Sequence, residues 1–247
     1  MNNHEGYSVP SALHARSLAV SAKTLADKAF FLIKADIIDC VLPPGELLSA
    51  QQLMAHIGMG LSAVRAAMER LVAGHWVTSA PNKGYRIDGI TLKDVIELYD
   101  LSEMISPQLA RMSCGRIDDV YDQLVLLAEE ANGPRQARNE EEEHGVLLAT
   151  GEILRTIRIA SNNSYAIALT QQITERLDRV VAARRHYSSA PIDFRRDFRP
   201  LIEALRDNQP DAADAASRSN VRRMRSIVID HILRAEAFAN SRILAGM

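Results

Sequence analysis

The chain has 247 residues, a formal net charge of -2, and 47% hydrophobic and 24% charged residues, with a mean hydropathy of -0.10. Such a balance is ordinary for a globular protein, and the length allows two domains. It excludes a broad cationic field as the means of holding nucleic acid, and no apolar run reaches signal-peptide or membrane-span length, so a cytoplasmic location with no membrane partner is expected.

Residues 1–20 are aperiodic, and 1–23 is expected to be a loose arm. From Thr24, Leu25, Ala29, Leu32, Ile33 and Cys40 recur at helical spacing, predicting a helix to about Cys40. Leu42-Pro43-Pro44-Gly45 stops it, because Pro43 biases Leu42 out of the helical region. Ser49 then reads as an N-cap accepting from the backbone of Gln51 or Gln52. The helix it opens carries Leu53 and Met54 inward and ends at Gly58. Another starts near Ser62, with Val64, Ala67, Met68 and Leu71 in one stripe, and closes at Gly74. His75–Ser79 and Tyr85–Asp88, joined by Pro81-Asn82-Lys83-Gly84, read as a hairpin. Two short helices, a tight turn and a hairpin make a winged helix-turn-helix over 24–89, which places one helix in the DNA major groove.

Beyond the 89–91 linker, with Thr91 as the next cap, helices are expected at about 92–114, 117–132, 138–161, 164–188, 193–207 and 210–239. The fold class is therefore mainly α: a winged head followed by an antiparallel helical bundle over 90–247. Pro107 should kink the first bundle helix. Glu140–Glu143 reads as a solvated face. Cys40 and Cys114, far apart and outside any CxxC spacing, read as small buried hydrophobes. Residues 1–89 hold eight Lys/Arg against seven Asp/Glu, and the rest 21 against 24. The head is thus nearly neutral, so DNA binding has to come from a few placed cations and a dimer.

The segments LPPGELLSAQQLMAHIG, AVRAAMERLVAGHWV, PNKGYRI and ITLKDVIELYDL, followed by IRIASNNSYAIAL and PLIEALRDNQPDAADAA, resemble the GntR superfamily of bacterial transcription regulators. The likeness is to its FadR-type branch, which has an all-helical FCD effector domain. It implies a homodimeric regulator, a repressor, bound to a pseudo-palindromic double-stranded operator and released by a small acidic or aromatic metabolite or an acyl thioester. The resemblance places Ser62 and Arg65 at contact positions on the end of the helix that reads bases, and Gly84 at the tip of the wing that touches the backbone or minor groove, flanked by Lys83 and Arg86. Arg65 offers a fork to guanine, and Lys83 and Arg86 suit phosphates. Two positions depart from the family's arginines: Gln51 still hydrogen-bonds, whereas Leu61 is limited to an apolar contact such as a thymine methyl.

The bundle departs further. The positions where many FCD domains hold a metal are Gly151, Arg155, Phe198 and Asn220 here, so no metal and no cofactor are expected. Arg155 is expected inside an apolar cavity, gripping either a ligand carboxylate or an internal carboxylate, Glu103 or Glu152. Ser102 stands where the family often has a ligand-gripping arginine, and Tyr165 and Phe198 read either as an aromatic wall or as core. Catalytic signatures such as GxSxG or HExxH are missing, so no enzyme is expected. The alternative reading is a helical ligand-binding or scaffold protein whose head binds protein instead of DNA.

Overall fold

A computed structural model describes residues 8–133, 140–187 and 193–234. Two compact units divide the chain. The first holds the residues up to Ile90 together with Asp178–His186, and the second holds Thr91–Leu177 and the residues from Tyr187 onward.

The first unit opens with α1 (Pro10–Val20) and α2 (Leu25–Ile38). Helix α1 lies where a loose arm was expected. Its stripe is made of small residues: Ala12, Ala15 and Ala19 are buried. Alanine gives a weak hydrophobic signal, yet it favours helix and allows close helix approach. Arg16 adds ion pairs to Asp36 at 2.8 Å and Asp39 at 3.0 Å. Thr24 caps α2 by accepting the Asp27 N–H at 3.0 Å.

Strand β1 (Leu47–Leu48) precedes α3 (Ala50–Ile57). A capping box opens α3: the Gln52 N–H donates to the Ser49 hydroxyl at 3.2 Å, and the Ser49 N–H donates back to Gln52 Oε1 at 2.9 Å. Gly58, at φ 67°, ends it in the left-handed region. Helix α4 (Leu61–Ala73) buries Ala63, Val64, Ala67, Met68 and Leu71, a helical stripe packed against α2 and α3. Strands β2 (Val77–Ala80) and β3 (Gly84–Ile87) complete an antiparallel sheet of order β1-β3-β2. Its register sets Leu47 opposite Arg86 and Thr78 opposite Arg86. Strand β1 was missed because two residues carry no periodicity. The strand expected from His75 starts at Val77, since His75 adopts φ 53° and Trp76 is buried.

The second unit contains α5 (Leu92–Ser113), α6 (Tyr121–Asn132), α7 (Glu140–Ala160), the start of α8 (Ser164–Tyr187), α9 (Arg199–Arg206) and α10 (Pro210–Arg234). Thr91 and Asp94 form the capping box of α5. The segment 117–132 is helical only from Tyr121, after a 3-10 turn at Asp118–Val120. The helix expected over 193–207 is confined to α9, with Pro200 in its first turn. Residues expected to be helical at 138–139, 188 and 235–239 lie outside the described ones. The core gathers Leu124, Ala128, Ile153, Ile157, Phe198, Leu201 and Leu205. Glu143 is buried, contrary to the solvated face expected of the acidic run, while Glu141 is exposed.

Pro107 lies inside α5 and has no N–H to give the carbonyl of Glu103. Arg218 of α10 supplies the missing donor, its Nη1 lying 3.2 Å from the Glu103 oxygen. The same arginine pairs with Asp214 at 3.2 Å, and Arg222 reaches the Glu103 carboxylate at 2.7 Å. The proline interrupts the hydrogen-bond ladder, and a neighbouring helix completes it. Cys40 is buried, Cys114 half-buried, and both are free thiols.

Candidate nucleic-acid interface

Helix α4 presents two faces. The apolar stripe holds it to the head, and Leu61, Ser62 and Arg65 are left exposed at its N-terminal end. Its N-cap is Gly60, which contributes no side-chain cap, so the first-turn N–H groups keep free donors. Gln51 is exposed in the first turn of α3, and Lys83 is exposed in the hairpin turn. Among the described residues the side chains of Gln51, Ser62, Arg65 and Lys83 make no hydrogen bond or ion pair. That contrasts with Arg70 on the same helix. It is committed to Asp27 at 2.7 Å and lies 3.9 Å from the centre of the Phe30 ring. Arg65 and Lys83 therefore have their full donor sets available, and Arg86 spends one, donating to the Gly45 carbonyl at 3.0 Å.

Gly84 has φ 106°, and a Cβ there would lie 2.3 Å from the Leu48 carbonyl oxygen and 2.9 Å from Ser49 Cα. The glycine brings the wing against the cap of α3. Its role in this geometry is the close approach of two backbones, and only the neighbouring side chains offer chemistry to a ligand.

The five candidate effector residues lie on five different elements: Ser102 on α5, Arg155 on α7, Tyr165 on α8, Phe198 at the N-cap of α9 and Asn220 on α10. Arg155 does not enter an apolar cavity. It is exposed on α7, with Nε 2.9 Å and Nη2 2.6 Å from the two carboxylate oxygens of Glu152. The hydrogen bond from Arg155 pulls the Glu152 carboxyl below its ordinary pKa, and the reciprocal bond raises that of Arg155. A residue three positions away on the same helix reaches the guanidinium without burying either charge, whereas Glu103 is held by α10. Tyr165 is 89% exposed, so it walls no cavity, and Phe198 is 0% exposed in the core. Asn220 is buried and donates to the Asp197 carbonyl at 3.4 Å. Ser102 lies 3.3 Å from the Ser106 hydroxyl. Gly151 stands on α7 between the buried Thr150 and Ile153. Among the described residues no group of three His, Cys, Asp or Glu side chains gathers.

Two features of the second unit carried no sequence signal. The Thr150 hydroxyl is buried on α7 and has no hydrogen-bond partner among the described residues. An open hollow of about 390 Å³ is lined by Met112, Arg116, Ser161, Asn162, Asn163 and Ser164. A single hydroxyl in an apolar stretch and a loop-lined hollow have no periodicity to read.

Residues 25–87 match the family model of bacterial regulatory proteins, gntR family, and residues 97–223 match the FCD domain. The chain is similar to the HTH-type transcriptional repressor GlaR of Escherichia coli (strain K12), 28% identical over 94 residues, or 38% of this chain and 43% of that protein. It is also similar to the Nta operon transcriptional regulator of Aminobacter aminovorans, 26% identical over 128 residues, or 48% of this chain and 61% of that protein. The matched region thus spans about half the length of each relative. Among solved structures, E. coli McbR/YncC shares the fold with a TM-score of 0.71 at 16% identity, covering 85% of this chain and 99% of that one.

Proposed function

Because the chain belongs to the GntR family of bacterial regulatory proteins, with an FCD domain behind the winged head, we propose that it is a DNA-binding, ligand-responsive transcription regulator. In this reading it is a homodimeric repressor whose two heads occupy the halves of a pseudo-palindromic operator. The observation that carries the reading is the row Leu61, Ser62 and Arg65, exposed on the open end of α4 while Arg70 on the same helix is tied down. Arg65 would fork onto a guanine edge, and Leu61 would meet an apolar group such as a thymine methyl. Gln51, Lys83 and Arg86 would hold phosphates, with Gly84 shaping the wing that carries the latter two. The repressor role draws support from the printed name of the E. coli relative.

The effector in this reading is a small acidic or aromatic metabolite bound in the FCD bundle. Thr150 supports it, because a buried hydroxyl without a partner among the described residues is costly until something supplies one. Ser102 and Asn220 add polar groups on α5 and α10, while Arg155 would have to leave Glu152 to grip a carboxylate. Tyr165 and Phe198, exposed and buried respectively, would contribute only after rearrangement.

Fluorescence anisotropy tests the head, with a duplex selected from a random library by the purified protein. Arg65→Ala should weaken binding by about 1–3 kcal/mol for each half-site, roughly five- to 150-fold apiece. Undiminished affinity would refute the assignment. Two heads with two phosphate-holding cations each, Lys83 and Arg86, make about four phosphate contacts, so affinity should fall about a hundredfold between about 50 and 200 mM salt. A salt-independent interaction would favour a head that binds protein.

A further inference from the structure

Helix α8 is one continuous helix over Ser164–Tyr187, yet its residues fall in both units: 164–177 in the second and 178–186 in the first. Within the first unit its terminal turns are anchored to the head. The Asp178 carboxylate accepts the Ser11 N–H at 2.9 Å. Helix α1 has no side-chain cap of its own, so a residue 167 positions away completes its first turn. The buried Arg179 side chain donates to the Asp88 carbonyl, at the exit of the wing. The Cys40 thiol lies 3.7 Å from the Arg179 carbonyl.

The contacts continue inward. Arg16 of α1 holds Asp36 at 2.8 Å and Asp39 at 3.0 Å, both at the end of α2. Asp39 also accepts the Val9 N–H at 2.9 Å and a hydrogen bond from the Ser8 hydroxyl. The second oxygen of Asp36 meets His56 Nε2 of α3 at 2.8 Å. Asp36 and Asp39 are buried, so their partners hold them in place and cannot be exchanged freely for water. Helix α3, one turn before α4, therefore ends a series of polar contacts that starts on α8. Helix α1 lies ahead of residue 25, where the family match begins, whereas Asp36, Asp39 and His56 lie within it.

We propose that α1 is a clasp relaying the placement of α8 to the DNA-reading helices, through Asp178–Ser11, Arg16–Asp36 and Asp36–His56. The proposal rests on the DNA-binding reading of the head and adds to it a route by which the effector unit controls that head. Allosteric coupling of this kind needs an element that both sites bias, and α8 with α1 supplies one. Binding energy spent on moving α8 would then reach Leu61, Ser62 and Arg65 through α3, without any direct contact of ligand with the head.

Amide hydrogen exchange on the full-length protein tests the relay without DNA. Asp178→Ala should raise exchange at least threefold in residues 10–20 and also in 50–57, while the wing at 77–87 keeps its protection. Asp178→Asn, which still offers an acceptor, should restore most of it. Arg16→Ala should raise exchange at both ends, 50–57 and 178–186. A rise confined to residues 9–14, no rise at all, or one spread evenly over the head including 77–87 would overturn the proposal. With the library-selected duplex, Asp178→Ala should bind at least threefold more weakly than wild type, and equal affinity would also overturn it. If the wild type bound no duplex, the function above would fall, and the exchange results would still decide the relay.

Discussion

At the residue scale, the most consequential positions are those whose neighbours leave no choice. Gly84 faces the Leu48 carbonyl across a gap that a Cβ would reduce to 2.3 Å, at φ 106°. Gly84→Ala must bend β3 away from the α3 cap and accept left-handed strain. A loss of about 1–3 kcal/mol in urea unfolding is expected, and retention of wild-type stability would show that the wing can shift freely. The charged residues behave differently. Glu152 and Asp193 have carboxyls held below the ordinary range, mainly by hydrogen bonds from Arg155 and Arg195. A depressed folded-state pKa contributes stability above the unfolded value near 4, and that stability is lost as pH falls through the folded pKa. The urea midpoint should therefore decline between about pH 5 and pH 3, and less steeply in Glu152→Gln with Asp193→Asn. Both pairs are partly solvated, so the difference will be modest.

At the element scale, α3 and α5 begin with the side chains that the sequence announces, Ser49 with Gln52 and Thr91 with Asp94. Ser49→Ala should cost about 1 kcal/mol of head stability, measured by thermal unfolding. The repair of α5 at Pro107 offers a sharper measurement. Arg218→Ala leaves the Glu103 carbonyl without its donor and should cost about 1–2 kcal/mol. In a Pro107→Ala background the helix regains the N–H at position 107, so the same substitution should cost less. A double-mutant cycle with no coupling would show that Arg218 acts only through its ion pairs to Glu103 and Asp214.

At the scale of the whole molecule, the order of elements was legible because each carried its own local signal. The stripe Val64, Ala67, Met68 and Leu71 marks α4, Gly58 and Gly74 mark helix ends, and the turn chemistry of Asn82-Lys83-Gly84 marks the wing. The candidate DNA-facing residues follow from that order, since residues off the α4 stripe near its start have to face outward. The candidate effector residues were poorly legible for the opposite reason. Phe198 and Tyr165 are both aromatic, and only packing made one core and the other 89% exposed. Arg155 could reach several carboxylates by spacing, and Glu152 on the same helix holds it. Thr150→Val tests the bundle at this scale. It should be neutral or stabilising in unfolding experiments on the free protein, and should abolish the thermal shift given by an acidic or aromatic metabolite that stabilises the wild type.

The sequence by itself determined the winged head, its caps, the helical bundle and the exposed end of α4, because periodicity and capping act between residues within a few positions of one another. Tertiary structure alone decided that α1 is a helix, that Asp178 caps it from 167 residues away, that Arg218 repairs the α5 ladder at Pro107, and that Arg155 is turned to Glu152. Those outcomes depend on which groups meet after the chain has folded back on itself, and buried polar atoms then take whichever partners the packing brings within reach.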